Sequence, residues 1–176
     1  MVRCPRLLAG IFLVVALAAP AFAASPRSLV ATVQHVADGD PITALVENGT
    51  RLRLRLLGID APEIAHGWKP GQPYGEEAHD YLDHQIGGKT VQVDAYGPAR
   101  YHRVLAVVWD EQVNVNLLMV AMDYAEVYRR ARRQVDCREL NDAETKARRD
   151  RVGMRKKGAN YESPAVFRKR MRLSGG

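Results

Sequence analysis

Five short runs rich in aliphatic and β-branched residues, at 29–36, 42–46, 51–56, 89–95 and 103–109, are separated by glycine, proline and asparagine. Such runs predict β-strands. The run at 51–56 alternates strictly: Leu52, Leu54 and Leu56 fall on one face and Arg51, Arg53 and Arg55 on the other. One strand therefore presents a buried aliphatic row and a cationic row. Glu47-Asn-Gly-Thr50 supplies a tight turn ahead of it. Residues 76–86 place Ala78, Leu82, Gln85 and Ile86 near one helical face, with Glu76 and Glu77 in the first turn and Gly87-Gly88 as a stop. Further helices are predicted at 115–122 and 134–152. Five strands interrupted by a helix predict a mainly β fold with α (α+β), a five-stranded Greek-key barrel of the oligonucleotide-binding (OB) type with about three helices.

The front of the chain follows a different pattern. Arg3 and Arg6 precede an apolar run at 7–19, and Ala21-Phe22-Ala23 follows. These features predict a secretory signal peptide over 1–23, cleaved near Ala23. The run is shorter than the roughly 20 residues of a spanning helix. The expectation is a secreted or periplasmic monomer without stable membrane insertion, made of one domain at 24–152 and a basic, partly ordered tail at 153–176 in which Phe167 docks. Cys4 leaves with the signal, so Cys137 has no partner for an internal disulfide and reads as a helix-packing residue.

The net charge of +6 conceals an asymmetry. Residues 24–128 hold 8 Lys/Arg against 14 Asp/Glu, and residues 129–176 hold 16 against 6. An acidic front suits a cation site, and a basic rear suits a polyanion or a solvated helix. The acidic front contains Asp40 in Asp38-Gly-Asp40 and then Arg55, Asp60 and Glu63 in the nine residues at 55–63, with Arg103 further on. Carboxylates with no histidine or cysteine motif suit a hard divalent metal; His79 and His84, five apart, make no zinc pair. Glu63 can ligate the metal, deprotonate a water or cap the turn. Arg55 and Arg103 can each donate paired N–H bonds to phosphate. Together they suit metal-assisted phosphodiester hydrolysis.

In this order and spacing, these residues resemble the staphylococcal nuclease (thermonuclease) family. The resemblance is carried by Asp-Gly-Asp at 38–40, Arg-Leu-Leu-Gly-Ile-Asp-Ala-Pro-Glu at 55–63, Pro-Tyr-Gly-Glu-Glu-Ala at 73–78, Arg103 after Tyr101, Val-Asn at 115–116 and Val-Tyr at 127–128. It implies a Ca²⁺-dependent endonuclease acting on DNA and RNA and leaving 3′-phosphates. By position it implies Asp40, Asp60 and the Ala61 carbonyl as Ca²⁺ ligands, Arg55, Glu63 and Arg103 as the catalytic set, and Tyr101 and Tyr128 as nucleotide contacts. The chain departs from the family pattern at Pro41 (usually Thr), Ala99 (often charged), His102 and Asp123 (usually Gly) and Arg155 (often Trp). A second reading is a nucleic-acid-binding OB module that has lost cleavage.

Overall fold

The computed structural model describes residues 26–37, 39–99, 102–129, 137–156 and 161–174. The expected signal peptide and Tyr101 lie outside them. Strand β1 (Arg27–Val36) pairs antiparallel with β2 (Pro41–Val46) on one side and, beyond a short helix-containing excursion of the chain, with β5 (Thr90–Ala99) on the other. β3 (Arg51–Leu56) pairs with β2, and β6 (Arg103–Asp110) with β5. Parallel pairing of β3 with β6 closes the five strands into a barrel. Closure removes the exposed edges that an open sheet of these strands would present. Register shifts at Val33/His35 and Ala95/Gly97 supply the local bends that closure needs.

β7 (Val113–Asn114) adds to the end of β6, and β4 (Ile59–Asp60) pairs with β8 (Glu126–Val127) as a separate two-stranded sheet. Helices α1 (Gly75–Ile86), α2 (Val115–Ala121) and α3 (Arg138–Asp150) match the three expected from sequence, with ends shifted by a few residues. The alternating strand behaves as its pattern requires. Leu54 and Leu56 are fully buried and Leu52 half-buried, while Arg51 and Arg53 are exposed. Leu82 and Ile86 of α1 and Met119 and Val120 of α2 fill the same core, and Cys137 packs beside them. No helix among the described residues is long and apolar enough to cross a membrane.

Asn116 shows why a polar residue belongs in that core. Its amide donates to the carbonyls of Leu57 (2.9 Å) and Ala106 (3.1 Å) and accepts from Val108 N (3.1 Å). It thereby ties α2 to β6 and to the segment leaving β3. Asn116→Ala strands these backbone groups away from water and is expected to cost roughly 3 kcal/mol in urea denaturation, and Asn116→Asp, whose carboxylate only accepts, leaves the Leu57 and Ala106 carbonyls without a donor and is expected to cost at least as much.

A fourth helix, α4 (Pro164–Ser174), is an addition to the three expected. Ser163 caps it and Pro164 opens it, both favoured at these positions, but Phe167 and Met171 are its main apolar anchors in a run of basic residues. So narrow a stripe gives little periodic signal. Phe167 is buried.

The chain leading to α4 is held by a buried ionic network. Asp123 is fully buried at φ 57°, a conformation that favours glycine, and His102 at φ 55° occupies another such position. The two departures from the family's glycines thus fall where a side chain is strained. At Asp123 the side chain has a partner: its carboxylate accepts from both the backbone N–H and the guanidinium of Arg155, the residue that stands in place of the family's tryptophan. Arg155 also donates to Glu126 (2.8 Å) and lies 4.4 Å from the Tyr161 ring centroid. Burial draws the Arg155 pKa below its ordinary value and pushes the Tyr161 hydroxyl up, with Glu126 adding to the latter. Just beyond, the Glu162 carbonyl accepts from Gln72 (2.6 Å), and its carboxylate grips Arg170 of α4 (2.7 Å).

Candidate active site

Asp40 ends the bend that precedes β2. Gly39 lies so close to Ala61 that a Cβ there would sit 2.6 Å from the alanine methyl, which packs this bend against the Asp60–Glu63 segment. Pro41 is the first residue of β2, a position where a missing N–H is tolerated. The ladder continues past it, because Leu56 N donates to the Asp40 carbonyl (3.1 Å). Asp40 stays in the cluster, its carboxylate 2.9 Å from Arg55 Nη2.

The same Nη2 lies 3.3 Å from Asp60 Oδ1, so one guanidinium nitrogen faces both aspartates. Asp60 is held in β4 opposite Glu126 and is 3 % exposed. Arg55, next to last in β3, lies 5.8 Å from the Tyr128 ring centroid, on the outer side of the barrel where Tyr128 covers Leu57 and Val107. Arg103 opens β6. Leu105, two residues later and on the same face of the strand, is the register partner of Arg55, which places the two arginines on one face of neighbouring strands.

Glu63 is fixed through its backbone. Its carbonyl accepts from Gln72 N (2.8 Å), and Gly75 approaches so closely that a Cβ would lie 2.8 Å from the Glu63 carbonyl carbon. The side chain is left half-buried at the cluster's rim.

One member of this site lies outside every motif of the sequence. Arg168, from α4, donates through Nη2 to Asp60 Oδ2 (2.6 Å) and through Nη1 to Glu63 Oε1 (2.7 Å). Burial opposes its charge, yet the bonds to Asp60 and Glu63 outweigh this and hold its pKa above the ordinary arginine value. The only sequence signal was the capped start Ser163-Pro164 with Phe167 and Met171 one turn apart, which orients Arg168 without saying what it meets.

The donor set fits a hard cation. Asp40 and Asp60 are buried carboxylates aimed at one point, which Arg55 shares, and the Ala61 carbonyl follows directly in the chain. Among the described residues no three His, Cys, Asp or Glu side chains converge as a metal cluster. Two carboxylates leave most of a Ca²⁺ sphere to carbonyl, water and phosphate oxygens.

A closed barrel with this rim defines a class. Residues 53–157 match the family described as staphylococcal nuclease homologue, and the chain belongs to that family. Curated relatives carry the name probable endonuclease LCL3. The protein of that name from Arthroderma otae is 32% identical over 139 residues, covering 72% of this chain and 49% of the relative. Its counterpart in Uncinocarpus reesii is 32% identical over 182 residues, covering 82% and 60%. The Candida albicans protein is 34% identical over 126 residues, covering 67% and 53%. The chain thus spans about half the length of the curated relatives it matches.

Proposed function

We propose that this protein is an exported, Ca²⁺-dependent endonuclease that hydrolyses phosphodiester bonds of DNA and RNA, prefers flexible or single-stranded substrate and leaves 3′-phosphate ends. The observation that carries the reading is the convergence of Asp40 and Asp60 on Arg55, with Glu63 joined to Asp60 through Arg168. Family membership and the endonuclease names of the relatives support a nuclease. Export rests on the basic and apolar pattern of 1–23.

In this reading Asp40, Asp60 and the Ala61 carbonyl hold Ca²⁺, which supplies Lewis-acid polarisation of the phosphoryl oxygen. Glu63 takes the proton of the attacking water at the carboxylate oxygen that Arg168 does not bond. Arg55 and Arg103 each present a planar fork to the phosphate and offset the charge that grows on it. The substrate enters past Tyr128, with Tyr101 as a further nucleotide contact. End-group analysis of fragments from 5′-labelled single-stranded DNA and RNA tests the bond assignment. Fragments ending in 3′-phosphate are expected, and fragments ending in 3′-hydroxyl would refute it.

Arg168 occupies an oxygen of Asp60 and one of Glu63, so cation and guanidinium compete for Asp60. Arg168→Gln removes that positive charge and is expected to tighten Ca²⁺ binding about tenfold by calorimetry, the effect of roughly 1.4 kcal/mol. Unchanged or weaker binding would show that Arg168 props the ligands in place.

A further inference from the structure

We propose that the cleft between the 64–70 loop and α4 binds one nucleotide of the substrate strand beside the scissile phosphate, with the base stacked on Trp68. The inference rests on the nuclease reading and extends it to a subsite that the catalytic cluster does not contain. The cleft encloses about 490 Å³, within the range of small-molecule sites, and runs from Glu63 to Trp68 and Arg172.

Trp68 is 82% exposed, and its presentation is built rather than incidental. His66 and Lys69 exchange two backbone hydrogen bonds (3.1 and 3.0 Å), closing a two-residue turn with Gly67 and Trp68 at its tip. Gly67, at φ 57°, takes the first central position, where such turns demand positive φ. The base of the loop is fastened to the catalytic segment by the Gln72 N–H bond to the Glu63 carbonyl. The turn that carries Trp68 is therefore anchored to the backbone of Glu63.

The lining matches a nucleotide in two respects. Phe167, Ile64 and Pro70 give apolar walls for a base and sugar. The charged residues around them are Lys69, Arg168 and Arg172, against the single acid Glu63, which Arg168 already pairs. Lys69 Nζ lies 5.6 Å from the Trp68 ring centroid, so a phosphate next to a stacked base meets a cation. Aromatic stacking beside a cationic track is the general means of holding single strands without sequence readout. An exposed tryptophan on a hydrogen-bonded turn, tied to a phosphodiester site, supplies the stacking surface.

The test uses the full chain in chelator, so that binding is read without cleavage. An oligothymidylate octamer and an abasic octamer of the same backbone are titrated against wild type, Trp68→Ala and Trp68→Phe. Trp68→Ala is expected to weaken oligothymidylate about tenfold, Trp68→Phe to restore most of the loss, and the abasic strand to bind all three alike. Wild-type tryptophan emission should be quenched by oligothymidylate, a change that Trp68→Phe removes. Equal affinity of Trp68→Ala and wild type overturns the subsite, as does equal weakening toward both octamers or failure of wild type to bind. A Ca²⁺ cleavage assay run in parallel separates the two readings. Stacking on Trp68 without cleavage leaves the subsite standing and sinks the nuclease, whereas cleavage with Trp68→Ala at wild-type affinity does the reverse.

Discussion

Glu63→Gln is expected to lower kcat by about 10²–10⁴-fold while leaving nucleic-acid binding within a few fold of wild type. The amide keeps the size of the side chain and the backbone bond from Gln72, so the loop holds its course. What it loses is the capacity to accept a proton from water. The bond to Arg168 becomes a neutral one on this side, but Arg168 keeps its contact with Asp60 at 2.6 Å, so α4 stays in place. Single-turnover cleavage with Ca²⁺, alongside affinity in chelator, separates the two effects. A Gln variant with wild-type rates would remove Glu63 from the role of base and leave it a positioning residue for Arg168.

Arg155→Ala should produce the largest stability loss of any single change considered. It leaves the Asp123 carboxylate, which has no solvent exposure, without its counter-charge, and it removes a donor from Glu126 and the platform under Tyr161. Breaking a buried pair in this way costs about 3–5 kcal/mol, which in a domain of this size lowers Tm by about 10 °C. The double variant Asp123→Gly, Arg155→Trp carries the residues usual in the family at both positions. It should recover most of the loss, since glycine adopts φ near 57° without strain and the buried Asp123 carboxylate is gone, while Glu126 keeps Arg148. Thermal denaturation of the two variants checks this. If Arg155→Ala fell within about 1 kcal/mol of wild type, the pair would not be holding this end of the barrel.

The reach of the sequence differs from element to element, and for physical reasons. Strand 51–56 was legible because a strand's period of two separates leucines from arginines without reference to the rest of the chain. The closure of the barrel followed from five such strands. Asp40, Arg55 and Asp60 do meet in the fold, and Arg103 lies on the neighbouring strand, although spacing alone could not have brought Asp40 across to Asp60. Partnerships across distance were the part that stayed hidden. Asp123 and Arg155 were each visible as departures, but nothing in either segment announced that one neutralises the other. Arg168 was one cation in a basic tail until α4 carried it to Asp60 and Glu63. Charge runs record composition, whereas ion pairs depend on docking angles that only the assembled barrel sets.

Cleavage of nucleic acid by this cluster with the help of Ca²⁺ can be read in a single assay. Purified protein is mixed with denatured DNA or RNA, first in Ca²⁺ and then after addition of chelator, and fragment length is followed on a gel. The proposed site predicts progressive fragmentation in Ca²⁺ that stops when the chelator is added. Substrate that stays full length in Ca²⁺ while still bound by the protein would contradict the claim and identify a barrel that holds nucleic acid without cutting it.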